Sequence, residues 1–324
     1  MAWNFLSAAA IVANIIFSII LVLLNKQLVV AYHFKFMTVL SGFHFISGFM
    51  VCLMFVLLGI TKYKAVNSYW SIFRISLGAF LSVVFMNYCL SYSSVGFYQV
   101  IKLFCIPLAL FFEYVLGMQQ EVLNLKLVLS LVLILAGMAM IIREEVSANF
   151  TGILWGLCGI ITTALSQVYF SPLKKGLGLD VMQLLLHTSP WLTFGSFISV
   201  PVFEDIDALR DYKLTSAVIF TVLLTCLLAV GLNITNFVVL SEFSPLTYNI
   251  MGHLKTILII SVGSIMFNTL PSTTMLVGMT IAIVGVVLFT NEKDAQQELK
   301  KNALPYTAVP VEDSGVEMEK AETV

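Results

Sequence analysis

Residues 95–117 read VGFYQVIKLFCIPLALFFEYVLG, and the charged side chains in that stretch are Lys102 and Glu113. An apolar run of about 20 residues is what an α-helix needs to cross the ~30 Å hydrocarbon layer of a bilayer. The stretch therefore reads as a membrane span with an ammonium group inside it. Lys102 lies seven residues in, ~10 Å deep at about 1.5 Å per residue. A cation at that depth costs ~3 kcal/mol or more, so its default reading is a functional group facing a cavity. The alternative is a side chain that snorkels to an interface.

The rest of the chain has the same character. Of its 324 residues 59% are hydrophobic and 11% charged, with a mean hydropathy of +0.98. A soluble domain carries roughly a quarter of its residues charged, so this composition excludes one. Ten spans are expected, over 5–24, 36–60, 70–91, 95–117, 123–142, 150–170, 181–201, 216–240, 246–268 and 272–290. The fold class is an all-α membrane protein of ten transmembrane helices. Short polar segments separate them: Lys62-Tyr63-Lys64, Gln119-Gln120-Glu121, Arg143-Glu144-Glu145, Lys174-Lys175 and an acidic stretch from Glu204 to Asp211. Residues 291–324 are charged, lack apolar periodicity and read as a disordered tail.

The first apolar run, from Phe5 to about Leu24, has no basic segment before it and is too long for a signal-peptide core. It reads as a mature first span, with no transit peptide ahead of it. Cys52, Cys89, Cys105, Cys158 and Cys226 all fall in apolar runs, which suits buried thiols rather than a disulfide framework. An even number of spans puts both termini on one face. If that face is cytosolic, it holds nine Lys/Arg against five (Lys26, Lys35, Arg143, Arg210 and Lys213) on the other. The excess of basic residues favours cytosolic termini. The sequon Asn149-Phe150-Thr151 abuts the next span and is expected to be unused.

The chain also repeats itself. Asn25-Lys26 matches Leu173-Lys174 at an offset of 148, and Asn87 matches Asn236 at 149. Ser94 with Tyr98 matches Ser244 with Tyr248 at 150, and Ala136-Gly137 matches Val284-Gly285 at 148. Two halves, 1–148 and 149–290, follow. Each has five spans, so the second enters the membrane from the opposite side. Inverted repeats of this kind mark secondary transporters, whose solute site lies near midplane between the halves.

Lys255 lies nine residues into its span, ~14 Å deep. The repeat makes its span equivalent to that of Lys102, so both amines can reach one cavity. Tyr98 and Lys102 are i, i+4 neighbours, and Tyr248, Gly252, Lys255 and Thr256 share one helix face. Lys is a compact cationic phosphate binder, a phenol can stack on a ring or donate to a phosphate, and Gly252 permits close approach. Asn87 and Asn236 are mid-span amides that need partners, either as helix–helix glue or as substrate contacts. Arg74 is shallow enough to snorkel. Glu113, three turns beyond Lys102, is a candidate gate or ion-pair partner. His44, His187 and His253 have no ligand spacing. With no paired acids, metal cluster or phosphate loop, neither an enzyme, a metal nor a cofactor is expected. These residues point to a carrier of an anionic solute.

Ser94-Val95-Gly96-Phe97-Tyr98-Gln99-Val100-Ile101-Lys102, followed by Ile106-Pro107, resembles the fourth span of nucleotide-sugar transporters in the drug/metabolite transporter superfamily. Ser244-Pro245-Leu246-Thr247-Tyr248 through Gly252-His253-Leu254-Lys255-Thr256 resembles their ninth. Lys255-Thr256 matches the Lys-Thr pair of one branch, where plastid phosphate translocators carry Lys-Arg, and Asn25-Lys26 resembles the end of the first span. The Gly-Ala-Leu-Asn-Lys motif of GDP-mannose carriers is missing. The likeness covers about residues 5–290. It implies a ten-helix antiporter of the Golgi or ER membrane that exchanges a cytosolic UDP-sugar (UDP-galactose, UDP-rhamnose or UDP-xylose) for lumenal UMP. Lys102 and Lys255 would bind phosphate, with Thr256 and Tyr248 beside them. The partners expected are these nucleotides, the lipid bilayer and a second copy in a homodimer, and no nucleic-acid polymer. Two alternatives stay open: a phosphate/phosphorylated-sugar exchanger, and a non-transporting membrane scaffold or receptor.

Overall fold

The computed structural model describes residues 5–117, 124–148, 150–242, 245–268 and 271–303. All regular structure in them is helical: α1 (Phe5–Val30), α2 (Met37–Leu57), α3 (Tyr69–Tyr92), α4 (Val95–Ile101), a 3₁₀ turn (Lys102–Phe104) and α5 (Cys105–Val115). There follow α6 (Leu125–Ala148), α7 (Phe150–Leu177), α8 (Val181–Ile198), the short α9 (Val200–Phe203) and α10 (Ile206–Asp211), α11 (Ser216–Glu242), α12 (Pro245–Met266) and α13 (Thr273–Ala303). Among the described residues, eight segments are long and apolar enough to cross a membrane, α4 and α5 together forming one of them. The protein is a multi-pass membrane protein. The other two expected spans are also helices, but α8 is interrupted by Gln183, His187, Thr188, Ser189 and Thr193, and α12 is strongly apolar over Leu254–Met266.

The helices turn apolar faces outward and polar groups inward. On α1, Val12, Ile16 and Ile20 are exposed, whereas Asn14, Ser18, Asn25 and Lys26 are buried. That is the reverse of a soluble helix, as lipid tails accept the apolar face and unpaired polar groups must find protein. Between such helices, close packing rather than the hydrophobic effect supplies cohesion. The tightest seam joins α6 to α13. A Cβ on Gly137 would collide with the Gly278 carbonyl oxygen and stand 2.7 Å from the Ala282 nitrogen. A Cβ on Gly285 would stand 2.8 Å from both Ser130 O and Ile134 N. The other principal contacts are α3 with α7, α1 with α11, α2 with α8, and α12 with α4 and α1.

Three expected boundaries are corrected, each for a physical reason. Asn25-Lys26 does not close the first span, because α1 continues to Val30. Lys26 is buried, and its Nζ donates to Leu90 O at 2.8 Å, Ser91 O at 3.2 Å and Ser93 O at 2.7 Å, at the C-terminal end of α3. It caps carbonyls that the helix itself cannot satisfy and is not a loop cation. Arg143-Glu144-Glu145 lies within α6 rather than in a loop. The tail beyond Thr290 begins as helix, since α13 runs on to Ala303. Its Glu, Lys, Gln and Ala residues extend a helix already nucleated in the membrane without needing an apolar face. Residues 304–324, Gln119-Gln120-Glu121 and Asn149 of the sequon lie outside the described residues.

The acidic stretch contains a buried anchor. The N-terminus of α2 has no side-chain cap of its own, and Glu204 supplies one: its Oε1 accepts from Thr38 N at 2.5 Å and Val39 N at 3.2 Å. Tyr88 donates to Phe203 O at 2.9 Å and lies 3.4 Å from Glu204, inside a ring of Phe85, Trp155 and Phe203. Burial pushes the Glu204 carboxyl above its usual 4.5, against the pull of the amide donors. The folded state therefore holds this proton more tightly than the unfolded chain does. The resulting stabilisation is complete below about 4.5 and is lost as pH rises through the raised value. Glu204→Gln keeps the acceptor and cannot ionise. Its melting temperature at neutral pH is expected to match or exceed that of the parent protein, with a flatter profile above about pH 4.5. Glu204→Ala should cost about 1–3 kcal/mol by orphaning the two amides. Thermal melts of the purified variants read both effects.

Candidate substrate site

The first lysine owes its position to a broken helix. Ser94 caps α4, its Oγ accepting from Phe97 N at 3.1 Å, and every residue of α4 is buried. Three residues beyond the end of the 3₁₀ turn, at Pro107, there is no N–H to continue the α-helical ladder, and the proline ring crowds the carbonyl of Leu103. The chain tightens to 3₁₀ over Lys102–Phe104 before α5 begins. Half-buried Lys102 lies against the buried Tyr98 ring, Nζ 3.8 Å from its centroid, a cation–π contact that the i, i+4 spacing anticipates. The same turn separates Glu113 from the Lys102 face. Three residues at about 120° rather than about 100° each rotate α5 by roughly 60°.

The second lysine is held by a residue that the sequence reading passed over. Lys255 Nζ donates to Asn14 Oδ1 of α1. Asn14 is fully buried, and its Nδ2 donates to Thr235 Oγ1 at 2.9 Å and Asn236 Oδ1 at 2.8 Å on α11. One network thus joins α1, α11 and α12 and includes two of the expected residues, Lys255 and Asn236. The rule that singled out Asn87 and Asn236, a lone amide in an apolar span, would also have found Asn14. The two lysines stand on elements that pack together, Lys102 directly beyond α4 and Lys255 on α12. Among the described residues neither ammonium is paired with a carboxylate.

Gly252 and Thr256 lie on the same helix as Lys255 and are half-buried. A Cβ on Gly252 would meet no described atom within 4 Å. Thr256 Oγ1 donates to Gly252 O at 3.1 Å. Tyr248 sits in the first turn of α12, and its side chain, like that of His253, falls outside the described residues. Asn87 stands apart from this network and donates to Ser41 Oγ at 2.8 Å, tying α3 to α2. Arg74 lies 6.0 Å from the Trp70 ring, near the start of α3. His44 pairs with Thr225 at 3.0 Å, and His187 with the Lys64 carbonyl at 2.8 Å. Among the described residues no group of His, Cys, Asp and Glu could hold a metal ion.

Fold and site together define a multi-pass membrane protein in which Lys102 and Lys255, inside the helix bundle, have no carboxylate partner among the described residues. The chain belongs to the Triose-phosphate Transporter family, whose sequence model matches residues 8–290. UDP-rhamnose/UDP-galactose transporter 2 of Arabidopsis thaliana is 29% identical over 300 residues, covering 90% of this chain and 85% of the relative. UDP-xylose transporter 2 of the same plant is 28% identical over 291 residues, covering 87% and 80%. A crystal structure that is 15% identical superposes with a TM-score of 0.56 over 86% of this chain and 98% of its own, a likeness of fold alone.

Proposed function

We propose that this protein is a nucleotide-sugar antiporter that moves a UDP-sugar into the Golgi or ER lumen in exchange for UMP. The observation that carries the reading is the pair Lys102 and Lys255, two ammonium groups on helices that pack together, with no carboxylate partner among the described residues. Such a site attracts a compact polyanion, and a diphosphate suits two point charges. The names of the Arabidopsis relatives support a UDP-sugar as the cargo. Tyr98, Tyr248, Gly252, Thr256, Asn87 and Asn236 complete the proposed site, with Lys102 and Lys255 as its phosphate binders. The termini face the cytosol, in keeping with the excess of Lys and Arg on that side.

The same reading makes the chain two inverted five-helix repeats, and the packing supports it. An offset of 148 carries Gly137 to Gly285, Ser130 to Gly278 and Ile134 to Ala282. Gly137 packs on Gly278 and Ala282, and Gly285 packs on Ser130 and Ile134, so the seam maps onto itself. The pairing of α3 with α7 likewise has its counterpart in α11 with α1. The halves rock about the site. An empty site with two half-buried charges resists closing, while bound phosphate neutralises them, so exchange outruns one-way flux.

The test is uptake of a panel of labelled nucleotide sugars by proteoliposomes of purified protein, preloaded with UMP or left empty. At least one UDP-sugar should enter roughly tenfold or more faster into loaded vesicles, the gap expected when an unneutralised charge impedes return. Equal rates would show a uniporter or channel. The family's description also admits a phosphorylated-sugar exchanger. That reading predicts triose phosphate uptake into phosphate-loaded vesicles and none of the UDP-sugars.

A further inference from the structure

Every polar atom of the Asn14 amide has a defined partner. Its Nδ2 donates to Asn236 Oδ1 and Thr235 Oγ1, and the Thr235 hydroxyl donates in turn to Gly231 O at 2.9 Å. With both N–H bonds directed at α11, Oδ1 is the atom that faces α12, where it accepts from Lys255 Nζ. The orientation of the amide is fixed by its neighbours, because the reversed amide would set N–H against an ammonium. Asn14 is wholly buried, so water does not compete for its oxygen. The backbone carbonyl of Asn14 accepts from Ser18 Oγ at 2.8 Å, which adds a further tie within α1.

We infer that Asn14 is the positioning residue of the phosphate site: an uncharged internal acceptor that holds Lys255 there without neutralising it. The inference rests on the reading of Lys102 and Lys255 as a nucleotide-phosphate site. A carboxylate in that place would satisfy the ammonium, and an incoming phosphate would have to displace it. An amide dipole orients the ammonium and leaves its whole charge to the ligand. An ammonium has three donors, and Asn14 takes one of them. A neutral acceptor, unlike a carboxylate, thus orients the ammonium and leaves the empty site charged, and a charged empty site is what couples the two fluxes.

Two near-isosteric substitutions separate the parts of this claim. Asn14→Asp places a carboxylate against Lys255, and Asn236 can turn its amide to donate to it. Its ratio of uptake into UMP-loaded and empty vesicles should fall toward one, with KM for UDP-sugar raised about tenfold. Asn14→Leu removes the acceptor but keeps the site's charge. Its loaded-to-empty ratio should stay high, whereas its preference for UMP over uridine as a competitor should fall about tenfold. Loss of a merely structural contact would weaken UMP and uridine alike. A parent-like ratio and KM in Asn14→Asp, or a parent-like UMP preference in Asn14→Leu, overturns the inference. If the aspartate variant does not accumulate, the leucine variant decides alone. Failure of the transport reading looks different, since the parent protein would then take up no nucleotide sugar. The inference is then decided by inorganic phosphate: it should raise the melting temperature of the parent and leave that of Asn14→Leu unmoved, and equal shifts in both overturn it.

Discussion

Lys255→Ala and Lys102→Ala are each expected to reduce UDP-sugar exchange about 30- to 150-fold while the purified protein stays monodisperse. The estimate follows from one charge-assisted bond to phosphate, about 2–3 kcal/mol where water is excluded. Folding should survive because neither lysine sits in an ion pair whose partner would be stranded. Lys255 bonds to an uncharged amide, and Lys102 lies on a ring. Lys102→Arg should recover part of the activity, since a guanidinium keeps the charge but not the point geometry. Exchange measured in proteoliposomes at matched protein content checks all three. Parent rates in either alanine variant would remove that lysine from the site.

Gly137→Leu is expected to abolish accumulation of folded protein. Its Cβ would strike the backbone of α13, and a backbone atom cannot swing aside as a flexible side chain can. Overpacking in an adaptable core costs about 1–3 kcal/mol. Here the two helices must move apart along the seam and the cost exceeds that range. Gly252→Ala is the contrast, because its Cβ meets no described atom within 4 Å and alanine favours a helix by about 0.5–1 kcal/mol over glycine. Size-exclusion profiles of fluorescently tagged variants should show the parent peak for Gly252→Ala and its loss for Gly137→Leu.

Most of the fold was legible because lipid imposes one rule on every span. Runs of apolar residues located the helices. What stayed hidden depends on groups that a pattern of side chains does not display. Glu204 looked like loop charge because its partners are backbone amides 166 residues away. Asn14 escaped notice although its type and setting matched those of Asn236. Its importance lies in a bond to Lys255, 241 residues distant. Pro107 was in plain view, but its effect appears four residues earlier, as the turn that presents Lys102. Helix ends were misjudged where polar residues continue a helix, as at Lys26 and Arg143.

Lys26 also imposes an order of events on the growing chain. Its ammonium is satisfied by carbonyls at the end of α3, which is synthesised more than sixty residues later. Until that helix arrives, a first span alone in the bilayer can accommodate the charge by keeping it among the lipid headgroups. The apolar run ending near Leu24 can thus enter the bilayer without Lys26, and the turns beyond it acquire their buried setting on assembly. The hydropathy pattern records the nascent protein at that point, and the extended α1 records the mature one.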